Sequence, residues 1–215
     1  MTLAAVESRI ERACEAAGRD RAEIQLVAVT KAHSIDEIRR LYHQGQRDFG
    51  ENRAQELRDK VDHLPSDIRW HFIGPLQTNK VRIVRPAASV LHSMDRESLA
   101  FAWLKGQGSP PPVYLQVNTG AEDQKSGVDP SEAPEFCGRL IDLGLDVVGL
   151  MTIPPLADDP EEARPFFADL RNLRDRIRDS NPRVTGLSMG MTDDFEVAVS
   201  EGATAIRVGR AIFAD

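Results

Sequence analysis

Residues 24–31 read Ile-Gln-Leu-Val-Ala-Val-Thr-Lys, and residues 34–37 read Ser-Ile-Asp-Glu. The first run is almost continuously apolar, as a parallel strand covered on both faces must be. The second is a capping box that opens a helix carrying Ile35, Ile38, Leu41 and Tyr42 on one face. A strand that feeds directly into a helix is one βα unit, and the fold follows from how often that unit recurs.

It recurs about eight times. A helix over Leu3–Ala17, stopped by Gly18, precedes the first unit. Strand-like pieces follow at Asp48–Glu51, Trp70–Gly74, Ser89–His92, Val113–Asn118, Val147–Thr152, Thr185–Met189 and Ala205–Gly209. Helix patterns lie between them. Asp129–Pro130 reads as an N-cap and first-turn proline, with Gly144 ending that helix. Pro165 starts or kinks a helix that reaches Arg178. Asp193–Asp194–Phe195–Glu196 reads as a second capping box, closed by Gly202. Strict alternation implies a parallel sheet. Eight units in 215 residues predict an α/β fold, a single TIM (β/α)8 barrel occupying residues 1–215 as one domain. A doubly wound sheet is the alternative. It needs a glycine loop after its first strand, where this chain has Thr30–Lys31–Ala32–His33. Ser109–Pro110–Pro111–Pro112 is a stiff surface loop.

Composition narrows the function classes. Apolar residues make up 41% and charged residues 28%, with a net charge of −7. No basic cluster suits nucleic acid, and no run approaches a membrane span. The N-terminus lacks the apolar core of a signal peptide. The two cysteines, Cys14 and Cys137, fall in separate amphipathic patterns and read as small buried thiols. A cytoplasmic protein is expected, with no metal, because no histidine or cysteine pair has ligand spacing.

A TIM barrel builds its site at the C-terminal ends of its strands. The polar residues there are Lys31, Glu51, Asn52, His92, Asn118, Thr152, Ser188 and Arg207, with His71 inside its strand. If Lys31 points inward, period-2 alternation turns Val29, Val27 and Gln25 inward and Ile24, Leu26, Ala28 and Thr30 toward the helices. An apolar floor would then favour the neutral amine that imine chemistry requires. The alternative is a strand-end lysine that snorkels to water.

Ser188–Met189–Gly190–Met191–Thr192 and Arg207–Val208–Gly209–Arg210 close the last two strands, where barrels of this type bind phosphate. The N–H groups of Gly190 and Gly209, the Thr192 hydroxyl and a helix start make an anion cradle, or else a glycine turn with a cap. Asp193 and Asp194 are expected to point outward. Arg207 shares its face with Ala205 and Gly209, so it enters the barrel mouth. There it needs a partner: a ligand ring nitrogen, or an internal carboxylate such as Glu51. His71 reads as a hydrogen-bonded residue of the barrel wall, and His33 and His92 as loop or strand-end residues. Lys125 lies in a loop on the same side, as an anion contact or a solvated side chain.

Leu26–Lys31, Phe49–Asn52, Trp70–Lys80, Gly149–Thr152, Leu187–Thr192 and Arg207–Gly209 together resemble the pyridoxal phosphate homeostasis protein family, along essentially the whole chain. The resemblance implies a barrel similar to the alanine racemase N-terminal domain. It implies pyridoxal 5′-phosphate (PLP) as a Schiff base on Lys31, Asn52 near the cofactor, and Arg207 facing the pyridine nitrogen with Ser188 close by. The phosphate would rest on Thr192, Gly209 and the backbone of Arg210. Arg210 departs from the family, which usually has a small hydroxyl residue there. An arginine at the pyridine nitrogen disfavours its protonation and weakens the ring as an electron sink. Tyr42 and Tyr114 are placed away from the mouth, so the acid/base tyrosine of a racemase is missing. The resemblance therefore implies a non-catalytic protein that stores, delivers or buffers PLP, with apo-enzymes as recipients; a barrel mouth with no second domain over it points to a monomer. The alternatives are a PLP-dependent racemase and a Schiff-base aldolase using Lys31 directly.

Overall fold

A computed structural model describes residues 2–121 and 126–213, Arg210 by its backbone alone. Lys125 lies outside the described residues. Eight strands, β1 (Gln25–Val29), β2 (Asp48–Glu51), β3 (Arg69–Phe72), β4 (Val90–Met94), β5 (Val113–Gln116), β6 (Val147–Met151), β7 (Gly186–Met191) and β8 (Ala205–Val208), pair in chain order and close into a barrel. β8 returns to β1 in parallel, with Arg207 opposite Val27. The expected (β/α)8 barrel is the fold. Around it stand α1 (Leu3–Ala17), α2 (Ile35–His43), α3 (Ala54–Val61), α4 (Val81–Val84), α5 (Glu97–Leu104), α6 (Ala133–Asp142), α7 (Arg164–Ser180), α8 (Phe195–Ser200) and α9 (Arg210–Phe213).

Local chemistry sets most boundaries. Thr2 caps α1, and Gly18 ends it at φ 65°, a conformation that costs glycine least. Ser34 and Glu37 cap α2 reciprocally. Two expected caps are not formed. Asp129 instead accepts from the Ser131 N–H in a tight turn, and α6 begins later, at Ala133 behind Glu132. Asp194 precedes α8 but bonds backwards to the Met191 N–H at 2.5 Å, so the second capping box is absent.

The strands divide the core in two. Outside the barrel, Leu26, Ala28, Phe49, Trp70, Phe72, Leu91, Leu115, Ile206 and Val208 pack against the helices in one apolar layer. Truncating Phe49 or Phe72, both essentially inaccessible, to alanine would cost about 3–5 kcal/mol. Inside the barrel, Val90, Tyr114 and Met151 form a small separate cluster. Gly50 also faces inward, and a Cβ there would stand 2.9 Å from Val27 and 3.2 Å from Ile73. The alternation expected for β1 and β8 is therefore observed, with Val27 and Arg207 interior. Asp48, His71, His92, Ser188 and Arg207 add a buried polar line to this interior, unlike the branched apolar layers common in such barrels.

Candidate functional site

A cavity of about 320 Å³ opens at the C-terminal mouth, lined by Val29, Lys31, Asn52, Ile73, Ile153, Leu156, Met191, Thr192, Asp193, Arg207 and Gly209. It brings together five of the seven residues expected at the site. Two larger clefts, about 530 and 390 Å³, lie on the outside of the barrel, the first beside α4 and α5 and the second at the start of β6. Neither touches a strand C-terminus, where the chemistry of this fold resides.

Lys31 does not end β1. The strand stops at Val29, and residues 31–32 form an exposed turn. The apolar enclosure expected for its amine is therefore not there. Lys31 has no hydrogen bond or ion pair among the described residues. Its neighbours, by contrast, are held firmly. The Lys60 ammonium donates to the Thr30 carbonyl at 2.8 Å and to Glu51 Oε1 at 2.5 Å. The Thr30 hydroxyl donates to the same Glu51 oxygen at 2.6 Å. Ala32 sits at φ 62° and donates its N–H to Glu56 Oε2 at 3.1 Å. A left-handed alanine costs roughly 1–2 kcal/mol. Here Glu56, itself 3.4 Å from Lys60, holds the turn in that form. Glu51 is completely buried and committed to this cluster, so it is not the partner of Arg207.

Arg207 is 4% exposed. Its Nη1 donates to Ser188 Oγ at 2.7 Å and its Nη2 to the Thr152 carbonyl at 2.9 Å. No carboxylate among the described residues forms an ion pair with it. Burial pulls its pKa down to about 10, opposed by the charge of Asp194. Asp194 is not turned outward as expected: it is half-buried, and burial raises its carboxyl pKa. Asp193 alone is exposed, on the cavity rim. Ser188 does not line the cavity. It is fully buried beneath Arg207, with its hydroxyl engaged from both sides.

Of the residues expected in the cradle, Thr192 and Gly209 line the cavity. The Gly209 N–H lies 3.4 Å from Thr192 Oγ1, linking the ends of β7 and β8. The Cβ of any residue at 209 would meet nothing closer than Val29 at 3.8 Å. The fold therefore does not require glycine there, and the open backbone faces the cavity. Gly190 is different. Its φ is +90° and a Cβ would collide with Ala198 at 2.5 Å, so α8 explains it and it lines no part of the cavity. The Arg210 backbone begins α9. Asn52 Oδ1 is buried without a hydrogen-bond partner.

A chain of polar side chains beneath Arg207 was not foreseen. His92 Nδ1 lies 2.7 Å from Ser188 Oγ, and His92 Nε2 lies 2.9 Å from His71 Nδ1. His71 Nε2 lies 3.0 Å from Asp48 Oδ1. His92 is thus an interior residue, fully buried. Burial, then the nearby His71 and Arg207, holds its pKa well below the usual histidine range. The Tyr114 ring stacks on it at 4.5 Å. Tyr42 hydrogen-bonds Asp67 at the surface, so neither tyrosine reaches the cavity. Alternation on β2 and β3 was the available signal, since Asp48 and His71 fall on inward positions beside Gly50.

A model of the alanine racemase N-terminal domain matches residues 1–215. The pyridoxal phosphate homeostasis protein of Aquifex aeolicus is 42% identical over 219 residues, covering 99% of this chain and 96% of that protein. Its counterpart in Deinococcus radiodurans is 41% identical over 218 residues, with both chains fully covered. Among solved structures, PipY of Synechococcus elongatus with PLP bound is 36% identical with a TM-score of 0.80, covering 96% of this chain and all of that one. Alanine racemase of Corynebacterium glutamicum shares the fold at 18% identity and a TM-score of 0.72, over 98% of this chain and 61% of its own.

Proposed function

The chain belongs to the alanine racemase N-terminal domain family, and from that membership we propose that it binds PLP at the barrel mouth and keeps the cofactor without turning over a substrate. The observation that carries this reading is the joint lining of one cavity by Lys31, Asn52, Thr192, Arg207 and Gly209. The residues fit the group. A volume of about 320 Å³ falls within the range of small-molecule pockets, roughly 300–1,000 Å³. Asn52 Oδ1 supplies a buried acceptor without a partner. Gly209 supplies a backbone that a phosphate can approach closely. Lys31 supplies the amine for a Schiff base. Residues 1–215 would act as one PLP-binding domain.

Bound PLP supplies an aldehyde and an electron-withdrawing ring, and this chain's residues decide what becomes of them. Arg207 is a permanent donor beneath the mouth, so a ring nitrogen placed there meets a cation and stays unprotonated. Such a ring supports carbanion chemistry poorly. Ser188 serves by supporting Arg207. No tyrosine lines the cavity, which leaves a racemase without its usual acid/base. These features support storage, delivery or buffering of PLP in the cytoplasm, with PLP-dependent apo-enzymes as recipients. A monomer suits a mouth left open for exchange. Among the described residues no helix is long and apolar enough to cross a membrane.

The test is the visible absorbance of purified protein mixed with PLP, alongside an alanine turnover assay. The wild type is expected to become yellow with no turnover, and Lys31→Ala to stay colourless. Lys31-dependent racemisation would replace this reading with an enzymatic one. A wild type that takes up no PLP would remove it and favour the aldolase alternative.

A further inference from the structure

Beneath the cavity, Asp48 on β2, His71 on β3, His92 on β4 and Ser188 on β7 place their side chains inside the barrel, linked end to end at 3.0, 2.9 and 2.7 Å. Arg207 on β8 completes the line at 2.7 Å. All five are at most 8% exposed. We propose that these four residues form a hydrogen-bond column of fixed direction, and that its task is to hold Arg207 as the immovable cation under the ring of the bound cofactor. They are positioning residues, and the inference rests on the PLP reading for its upper end only.

The direction follows from donor chemistry. A guanidinium can only donate, and an ionised carboxylate can only accept. Arg207 donates to Ser188 Oγ, which keeps a second lone pair, so the direction is set from the Asp48 end. A neutral His71 that gives its Nε2–H to the carboxylate accepts at Nδ1, and a neutral His92 then accepts at Nδ1 from the Ser188 hydroxyl. His92 Nε2–H then donates to His71 Nδ1, and His71 Nε2–H donates to Asp48. Each group is satisfied once, and both rings are neutral with the proton on Nε2. Asp48 is prepared to be the foot of the column. Arg69 donates to both its oxygens, at 2.7 and 2.5 Å, and Gln25 Nε2 donates at 2.9 Å, so its charge needs no imidazolium. The stacked Tyr114 ring fixes the plane of His92.

At the top, Ser188 and the Thr152 carbonyl take one nitrogen each of the guanidinium. Two anchors, one on β7 and one just past the end of β6, fix its plane, whereas one would leave it free to swing about the remaining bond. An apolar filling would pack this interior equally well. What the polar column adds is a cation that cannot leave its place when the cofactor comes and goes.

Ring-nitrogen NMR of the 15N-labelled full chain without PLP tests the column by itself. Two of the five histidines, assigned by their loss in His71→Gln and His92→Gln, are expected to be neutral and protonated on Nε2 at neutral pH. An imidazolium, or a proton on Nδ1 of either ring, would overturn the direction. The second arm titrates PLP into Ser188→Ala. Loss of one hydrogen bond to a charged group predicts binding weakened by about tenfold, with a displaced visible band and Lys31 still reactive. Ser188→Cys, which keeps a weak donor and acceptor, should fall between the two. Unchanged affinity and spectrum in Ser188→Ala would overturn the positioning role. No PLP uptake by the wild type would sink the function and the column's upper role together, and the cofactor-free tautomers would still report on its direction.

Discussion

Lys31, in the turn after β1, and Arg207, on the adjoining β8, face one mouth, and the protein treats them in opposite ways. Lys31 is exposed on a turn, with no described partner for its amine. Arg207 is buried, anchored by two hydrogen bonds and backed by a column that crosses the barrel. Around Lys31 the backbone is clamped while the side chain is left free. At Arg207 the side chain itself is clamped. On the proposed reading, a lysine that forms and releases a covalent bond needs freedom in its last few atoms, and an arginine that sets the field around a ring needs none.

The largest effect is expected where the Lys31 turn is held. Lys60→Met leaves Glu51 buried without its cation. Breaking one side of a buried pair costs about 3–5 kcal/mol, and chemical denaturation should show a loss of that size. The double variant Lys60→Met with Glu51→Leu should recover most of it, because the two residues are coupled. A loss below 1 kcal/mol in the single variant would mean that the cluster does not clamp the turn.

The foot of the Arg207 column comes next. Burial pushes the Asp48 carboxyl up, but the hydrogen bonds from His71 and Arg69 and the charge of Arg69 outweigh it and hold the pKa at about 2. A folded value below the unfolded one means that the unfolded chain binds more protons in between. Stability is thus present in full above about pH 4 and lost as pH falls toward 2, to the extent of about 2 kcal/mol. His92, also depressed in the folded state, adds a loss of the same sign that begins below about pH 6.5. Asp48→Asn should be less stable at neutral pH and flatter across the acid range. Parallel stability curves for variant and wild type would detach Asp48 from the column.

Much of this was legible in the sequence. The apolar run from Ile24 to Thr30, the Ser34–Glu37 box and the alternation of Ala205, Arg207 and Gly209 give the barrel and the inward Arg207. The exposure of Lys31 was not legible, because a strand pattern does not reveal that pairing stops two residues early and that Thr30 turns toward Glu51. The Asp129 cap and the Asp193–Glu196 capping box misled for a shared reason. A carboxylate near a helix start has other N–H groups within reach, and here the Ser131 and Met191 amides took them. The His71–His92 contact depends on geometry across the barrel interior, which no local pattern encodes. Glu51 reads as a candidate partner for Arg207, but the alternation that turns Asp48 and Gly50 inward turns Glu51 outward, toward Lys60 on α3.

The smallest expected effect is at Ala32. Ala32→Gly removes left-handed strain worth roughly 1–2 kcal/mol and loses part of that to a freer unfolded chain, for a net gain of about 0.5 kcal/mol. Thermal unfolding should show a slightly raised midpoint. A lowered midpoint would mean that the turn is not strained.

Borohydride reduction of the PLP-treated protein, followed by peptide mass mapping, tests the division of labour between the two cations most directly. Attachment of one pyridoxyl phosphate group to the peptide containing Lys31, lost in Lys31→Ala and kept in Ser188→Ala, is the expected result. Attachment at another lysine, or none at all with PLP in excess, would contradict it.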